Sequence, residues 1–203
     1  MTKDTNMGLP TAPVHRTKFR RTATIDVDHG LCTGCRLCEI ACSLEHEGMV
    51  HCAAARVQVH QFYPGPLDIP ILCQRCFDPP CMAACPPKQQ AMTWDEEREI
   101  LVVDQEKCLG QKCALCAKAC PHGAITFHPS RGTALVCDLC GGQPRCATVC
   151  PVDCLSFVPG TRFDPWHVAR LSAQEIAAGL ASKYRPYATR NMENVQIARS
   201  GSE

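Results

Sequence analysis

Sixteen of the eighteen cysteines fall into four consecutive groups of four, and this arrangement constrains the chain more than any other feature. Each group, called a quartet below, ends in Cys-x-x-x-Cys. The quartets are Cys32-Cys35-Cys38-Cys42, Cys73-Cys76-Cys81-Cys85, Cys108-Cys113-Cys116-Cys120 and Cys137-Cys140-Cys146-Cys150. The last three are each followed by a proline: Pro86, Pro121 and Pro151. Such closely spaced thiols predict metal–sulfur centres that organise the fold.

The spacing within the quartets is typical of bacterial-type ferredoxins. In those proteins three close thiolates and one distant thiolate hold [4Fe–4S] clusters. Two residues between cysteines let the backbone curl around the cluster and point its N–H groups at the sulfurs, which helps to set the reduction potential. The four quartets therefore predict four [4Fe–4S] clusters and a protein that carries single electrons.

Two other classes of protein also contain closely spaced cysteines or metal centres. Structural zinc sites also use Cys-x-x-Cys pairs, but they keep two pairs apart and have no use for Cys-x-x-x-Cys-Pro after each pair. An independent enzyme is the other alternative. Outside the quartets, however, the sequence contains no radical Cys-x-x-x-Cys-x-x-Cys motif, no glycine-rich nucleotide loop and no acid–base constellation. We therefore expect no catalytic residues in this chain.

Composition agrees with a protein that depends on its metal centres. Aromatic residues make up only 5% of the chain, so a large apolar core is not expected and small lobes need inorganic staples. The formal net charge is +1. Each oxidised cluster with four thiolates carries about −2, which would bring the loaded chain to about −7. An acidic protein of this kind is not expected to bind nucleic acid.

The N-terminal segment is basic, but it lacks the features of a secretory signal. Arg20-Arg21 is followed by the alternating stretch Ile25-Asp26-Val27-Asp28 instead of a continuous apolar region, so a twin-arginine signal is not predicted. No apolar run reaches the length of a membrane span. We expect a cytoplasmic protein, and a reducing compartment disfavours a disulfide framework.

A short strand pattern of small, aliphatic, hydroxyl and aromatic residues follows the last three quartets, at 91–94, 124–127 and 154–157. Further strands are predicted at 23–27, 56–62, 100–103 and 134–136, and a turn at 64–66. A short helical turn is expected across each Cys-x-x-x-Cys, ended by the following proline where one is present. The polar stretch 95–98 predicts a hairpin bend between two of the strands.

Some residues around the quartets depart from the basic pattern. Four residues separate Cys108 from Cys113, so the third quartet is the first suspect for a non-standard cluster. Cys154 replaces an alanine of the sister repeats and is interpreted as a small buried residue beside a cluster. Cys52 is interpreted as a free structural thiol. His122 could tune or gate a cluster, although a hydrogen-bonded surface histidine is favoured.

Residues 22–160 resemble the four-cluster iron–sulfur subunits of molybdenum and tungsten pterin oxidoreductases. The segment 137–146 is most similar to partners of tungsten aldehyde:ferredoxin oxidoreductase-type enzymes, including the benzoyl-CoA reductase group. The resemblance implies crossed ligation, in which the last cysteine of one quartet binds the cluster of another. The implied ligand sets are Cys32, Cys35, Cys38 and Cys150 for cluster one; Cys73, Cys76, Cys81 and Cys120 for cluster two; Cys108, Cys113, Cys116 and Cys85 for cluster three; Cys137, Cys140, Cys146 and Cys42 for cluster four.

The same resemblance implies an α+β fold of two interleaved ferredoxin-like lobes. The first lobe comprises residues 22–62 and 129–160 and holds quartets one and four. Residues 63–128 form the inserted lobe with quartets two and three. Residues 1–21 are assigned to a basic tail and residues 161–203 to a C-terminal docking helix and tail.

A C-terminal helix is predicted from the capping-box pattern at 172–175 to about residue 184. Its apolar stripe, made of Ala169, Ala173, Ile176, Leu180 and Tyr184, either packs on the chain's own lobe or docks on a partner subunit.

Together these features predict a subunit that relays electrons between a catalytic oxidoreductase subunit and another carrier. A freestanding polyferredoxin is the alternative.

Overall fold

Eight short strands, paired two by two, form four antiparallel sheets in the computed structural model, which describes residues 23–62, 67–76, 78–159 and 171–182. The first pair joins opposite ends of the cysteine-containing chain, and the other three pairs are formed by segments that follow each other. The pairs are β1 (Ala23–Val27) with β8 (Leu155–Pro159), β2 (Gln58–Phe62) with β3 (Leu67–Ile71), β4 (Met92–Asp95) with β5 (Ile100–Val103), and β6 (Thr126–Phe127) with β7 (Ala134–Leu135).

Five α-helices accompany the strands in the described residues. They are α1 (Leu37–Glu47), α2 (Pro80–Ala83), α3 (Leu115–Ala119), α4 (Arg145–Thr148) and α5 (residues 173–182). The first four lie on the Cys-x-x-x-Cys segments, as the cysteine pattern predicts. No helix in the described ranges is long and apolar enough to cross a membrane.

The prediction of a short turn was wrong for the first quartet, whose helix α1 has 11 residues. Cys42 is followed by Ser43 instead of proline, so the backbone N–H of the helix interior is retained and the helix continues. It ends at Gly48, which adopts a left-handed conformation and donates its N–H to the carbonyl of Leu44.

Three groups of buried residues form the interior. We call them the Ile25 core, the Leu101 core and the Ile69 core. The Ile25 core contains Ile25, Cys38, Cys42, Ala55, Val57, Val59, Leu72, Leu139, Cys146 and Leu155. The Leu101 core contains Cys81, Met92, Leu101, Ile125, Ala134 and Val136. The Ile69 core contains Ile69, Ile71, Ala124, Ala173 and Ala177.

Most predicted strands are present, and the hairpin bend is confirmed. Asp95 pairs with Ile100, and the Asp95 carboxylate accepts the backbone N–H groups of Glu97 and Arg98 at 3.0 Å, which stabilises the bend between β4 and β5. Strand β3 was not predicted, because Pro70 within it argues against a strand. The predicted turn at 64–66 and the basic tail 1–21 lie outside the described residues.

The capping box at the start of α5 is confirmed. Ser172 donates its backbone N–H to the Glu175 carboxylate at 2.7 Å, and Glu175 N–H donates to the Ser172 hydroxyl at 3.3 Å. Ala173 is buried in the Ile69 core, and Ile176 and Leu180 pack against it, so the described part of the stripe packs on the chain itself. Ala169, Tyr184 and the rest of the tail lie outside the described residues.

The end of α1 ties the first quartet to later segments of the chain through charged side chains. Glu45 accepts a hydrogen bond from Arg145 at 2.8 Å, and His46 lies 3.3 Å from the Asp138 carboxylate. Glu47 binds Arg131 at 2.9 Å and His128 at 3.2 Å. Quartet one is thereby fixed against the segment that leads into and through quartet four.

Candidate metal centre

The first cavity of the candidate site is lined by cysteines from the first and the last quartet. Cys32, Cys35 and Cys38 of quartet one face it together with Cys150, the last cysteine of quartet four. The pairing of β1 with β8 explains this meeting, because it brings the segment after Cys150 alongside the segment before Cys32. Cys35 is the one exposed cysteine in the described part of the chain.

Two further cavities also combine cysteines from different quartets. Cys73, Cys76 and Cys81 share a cavity with Cys120. The other cavity is lined by the last cysteine of quartet two and the first three of quartet three, Cys85, Cys108, Cys113 and Cys116. Helices α2 and α3 pack against each other, which exchanges the last cysteines of these two quartets.

The remaining four cysteines are brought together where α1 packs on α4. The Cys146 thiol interacts electrostatically with those of Cys42 and Cys140, and the Cys137 thiol with those of Cys146 and Cys42. The structure thus brings twelve quartet cysteines together in three cavities, and the other four lie near one another where α1 packs on α4. Their role as ligands stays a prediction.

A repeated backbone conformation accompanies the first cysteine of every quartet. The residue two positions later has a positive φ in all four: Gly34 (68°), Arg75 (51°), Gly110 (65°) and Leu139 (56°). This conformation is costly for a residue with a side chain, and such strain is concentrated at functional sites. Sequence reasoning missed it, because glycine reveals it in only two quartets.

The conformation turns backbone N–H groups towards sulfur. The backbone N–H groups of Gly34, Arg75 and Leu139 lower the pKa of the cysteine two positions earlier, namely Cys32, Cys73 and Cys137. Other N–H groups serve the last or first cysteines of the quartets: Arg56 donates to Cys42 at 3.2 Å, Ala124 to Cys120 at 3.4 Å and Ala134 to Cys108 at 3.4 Å. Amide groups aimed at sulfur are what a thiolate-bound cluster requires.

Burial makes the thiolate form of these cysteines unfavourable unless a cation accompanies it. Burial raises the pKa of Cys38, Cys81 and Cys146 to about 12 and that of Cys73 to about 11, and neighbouring thiols or carboxylates add to the effect. Iron binding has to displace these protons and supply the positive charge that stabilises the buried thiolates. The donor set and the N–H groups around it therefore fit [4Fe–4S] clusters.

The long loop of the third quartet is accommodated by close contact with another loop. Gly110 begins a short 3₁₀ helix, Gly110–Lys112, within the four residues that separate Cys108 from Cys113. The N–H of Gln111 donates to the carbonyl of Gly132 at 3.1 Å. A Cβ atom at position 110 would lie 2.3 Å from that same carbonyl oxygen, so only glycine fits. The extra residues do not displace Cys108 or Cys113 from their cavity.

Three other residues singled out in the sequence have clear positions. Cys154 is 2% exposed and lies on the cavity of Cys32, as its interpretation as a small buried residue predicts. Cys52 lies half-buried in a 3₁₀ helix, Cys52–Ala54. The favoured interpretation of His122 as a surface residue was wrong, because its side chain is buried and lines the cavity of Cys73.

His46 was missed by sequence reasoning. Its Nε2 lies 3.7 Å from the Cys140 sulfur and 3.3 Å from the Asp138 carboxylate. Burial lowers the pKa of His46, and the charge of Arg56 adds to this, while Asp138 opposes it. No local spacing connects His46 to quartet four, so only the packing of α1 reveals this contact.

Comparison with known proteins places this geometry in a family. Residues 67–159 match the family described as a 4Fe-4S dicluster domain. The chain is 38% identical over 155 residues to the polyferredoxin-like subunit of an aliphatic sulfonate oxidoreductase from Pyrococcus furiosus, covering 75% of this chain and 87% of that protein.

A second relative is the electron transfer subunit of thiosulfate reductase from Salmonella typhi, 30% identical over 180 residues, with 78% of this chain and 88% of that protein covered. Among solved structures, the active-site complex of benzoyl coenzyme A reductase is similar with a TM-score of 0.42 and 22% identity, covering 86% of this chain and 97% of the matched one.

Proposed function

Because the chain belongs to the family of polyferredoxin-like iron–sulfur subunits that transfer electrons in oxidoreductase complexes, we propose that it holds four [4Fe–4S] clusters and relays electrons through them. The proposed ligands are the crossed sets. They are Cys32, Cys35, Cys38 with Cys150; Cys73, Cys76, Cys81 with Cys120; Cys108, Cys113, Cys116 with Cys85; and Cys137, Cys140, Cys146 with Cys42.

The number of clusters is inferred from a local geometry that repeats in all four quartets. Each quartet has a left-handed residue two positions after its first cysteine, and each contributes its last cysteine to the group formed by another quartet. The third quartet, which departs most in sequence spacing, repeats this geometry like the others. This shared geometry supports a complete cluster site at the third quartet.

The division into two ferredoxin-like lobes is supported by the two cores that contain cysteines. The Ile25 core lies beside quartets one and four, and the Leu101 core beside quartets two and three. We assign residues 22–62 and 129–160 to the first lobe and residues 63–128 to the inserted lobe. Ala134 and Val136, which fall within residues 129–160, are buried in the Leu101 core and so join the two lobes.

When bound, each cluster accepts and releases one electron; the residues of the chain position it, insulate it and set its potential. The catalytic chemistry belongs to a partner subunit, for which we propose a tungsten or molybdenum pterin oxidoreductase. A second carrier or subunit exchanges electrons at the other end of the relay. No catalytic residue is assigned to this chain.

The proposal is tested by anaerobic purification from the native source. Four clusters require about sixteen iron and sixteen acid-labile sulfide per chain. A subunit should elute from size exclusion together with a much larger protein that contains tungsten or molybdenum, identified by mass spectrometry and metal analysis.

The outcomes separate the alternatives. Iron near twelve per chain would mean that one quartet is empty, and zinc without iron and sulfide would reject the electron-transfer role. Elution as a lone 22.2 kDa chain loaded with iron would favour the freestanding polyferredoxin instead.

A further inference from the structure

Arg75 occupies an unusual position between two cysteines of the second quartet. It is the left-handed residue of Cys73-Gln74-Arg75-Cys76, with φ of 51°, where glycine would be less strained. Its side chain is 3% exposed, although arginine is almost never buried without a partner. A buried charged residue in a strained backbone conformation indicates a functional role, and the groups around Arg75 show which role this is.

The guanidinium group contacts both halves of the interior. Nη1 donates a hydrogen bond to the carbonyl of Ala23, the first residue of β1, which packs on the Ile25 core. Its central carbon lies 5.9 Å from the centre of the Trp94 ring on β4, which packs on the Leu101 core. The side chain therefore extends from quartet two to the boundary between the two cores.

The remaining N–H groups have no partner in the described part of the chain. Nε and Nη2 are buried without a hydrogen bond acceptor. No carboxylate in the described residues lies within ion-pair distance of Arg75, and Glu99 acts on it only from further away. Leaving a buried cation with free donors would cost several kcal/mol, so the loaded protein is expected to supply anionic acceptors.

The two thiols that act electrostatically on Arg75 belong to different proposed clusters. They are Cys73 of cluster two and Cys137 of cluster four, and these two thiols also act on each other. Cys73 packs on the Leu101 core and Cys137 on the Ile25 core. Clusters two and four are therefore the pair that meets across the boundary.

We propose that the Nε and Nη2 groups of Arg75 donate hydrogen bonds to sulfur atoms of clusters two and four, and that this positioning residue raises the reduction potential of both. The proposal rests on the proposed four-cluster function. One electron leaves one cluster, which is oxidised, and enters the other, which is reduced, and no atom or proton is transferred. The fixed positive charge stabilises the more negative, reduced state of each cluster.

A structural role alone predicts a different result. If Arg75 only ties Ala23 to Trp94, a neutral residue of similar length would lower the thermal stability and leave all four potentials unchanged. The reduction potentials therefore separate the two roles, and stability does not.

The test uses Arg75→Gln and Arg75→Met in the complete, anaerobically loaded protein, with Arg98→Gln as the matched control. Arg98 lies in the exposed bend between β4 and β5, with 72% of its side chain exposed. Potentials are measured by redox titration followed by low-temperature EPR. Cys120→Ser and Cys42→Ser identify the signals of clusters two and four.

We expect both neutral variants to shift the potentials of clusters two and four downward. At a fixed potential the ratio of reduced to oxidised cluster should fall at least tenfold, which is about 59 mV for one electron. Clusters one and three should move much less, and Arg98→Gln should match the wild type.

Four unchanged potentials in a variant with full iron content would overturn the role of Arg75, and the four-cluster function would stand. Fewer than about sixteen iron in the wild type would instead reject the four-cluster function. If neither neutral variant holds all clusters, Arg75→Lys decides the question. It keeps the charge but loses the two-donor fork, so a smaller shift in the same two clusters is expected and no shift overturns the proposal.

Discussion

The region around the Ile25 core and the region around the Leu101 core carry two quartets each, yet they are closed in different ways. The Ile25 region joins β1 to β8 from opposite ends of the cysteine-containing chain. The Leu101 region is built from two local hairpins, β4 with β5 and β6 with β7. Its helices α2 and α3 are only four and five residues long, whereas α1 has 11.

The difference follows from the entropy of closing a loop. Hairpins bring neighbouring segments together at small cost, but pairing β1 with β8 encloses the whole second region. The Ile25 region has additional contacts that offset this cost, among them ion pairs from the end of α1. Glu45 and Glu47 bind Arg145 and Arg131, which a helix ended by proline after Cys42 could not place there.

Removal of all iron is expected to have the largest effect on stability. Both the Ile25 region and the Leu101 region should unfold. Neither core is large, and the buried thiols would repel or reprotonate without their metal. Anaerobic chelation should eliminate cooperative thermal unfolding as measured by circular dichroism. A sharp transition after complete iron loss would show that the hairpins of the Leu101 region fold without clusters.

Cys150→Ala should remove one cluster from the Ile25 region. Under crossed ligation this variant loses the same EPR signal as Cys35→Ala, since Cys150 shares a cavity with Cys35. Iron should fall from about sixteen to about twelve per chain. If the missing signal matches that of Cys140→Ala instead, each quartet binds its own cluster and the two regions are independent.

Ser43→Pro should make the first quartet resemble the other three. Proline in the helix interior costs about 3 kcal/mol or more, and α1 would end near Cys42. For a chain of this size the apparent Tm should fall by roughly 6 to 12 °C. Ser43→Ala is the control, because it removes only the hydroxyl that accepts the His51 N–H at 3.1 Å. Equal losses in the two variants would show that the extension of α1 contributes little.

Gly110→Ala tests the accommodation of the long loop in the Leu101 region. The matched control is Gly123→Ala, whose φ of 64° is close to the 65° of Gly110 but whose Cβ would meet no atom within 4 Å. Both variants lose about 1 to 2 kcal/mol from backbone strain. Only Gly110→Ala should also lower the iron content, because the Gly132 carbonyl has to move. The same iron content in both variants would contradict the close contact.

Glu47→Gln should have the smallest effect of the series. The half-buried carboxylate accepts two hydrogen bonds from Arg131, and losing its charge should cost about 1 to 2 kcal/mol. The hydrogen bonds from Arg131 lower the pKa of Glu47, with burial opposing and His128 assisting.

The pH dependence of that difference has a definite sign. A lowered pKa stabilises the folded state above the ordinary carboxyl pKa of 4.5 and loses this contribution as the pH falls through the folded-state pKa. The difference in Tm between the wild type and Glu47→Gln should therefore still be present at about pH 5 and should shrink as the pH falls further. Arg131→Ala should remove most of it.

Local patterns in the sequence were sufficient to predict the structure of segments whose conformation depends on neighbouring residues. The polar bend at 95–98, the capping box of Ser172 and Glu175, and the short helices before Pro86, Pro121 and Pro151 were all predictable. The length of α1 could also have been read from Ser43, since nothing in the local sequence stops the helix there. In each case the interactions that set the conformation join residues that are close together in the sequence.

Residues whose roles depend on distant segments could not be predicted in this way. Strand β3 forms despite Pro70 because β2 and the Ile69 core support it. His46 lies 3.7 Å from the Cys140 sulfur only because α1 packs against the segment of quartet four, and His122 is buried on the cavity of Cys73. Arg75 and Leu139 adopt positive φ values. In a sequence such values can be predicted only where the residue is glycine.

The sequence by itself determined the chemistry of the protein, because the spacing of cysteines along a few residues limits which metal centres their thiolates can reach. The tertiary structure decided which distant cysteine joins each group and where the two regions meet. Those distances depend on how β1 pairs with β8, how α1 packs on α4, and how Arg75 extends between the cores. Such contacts join residues far apart in the chain, and no local spacing encodes them.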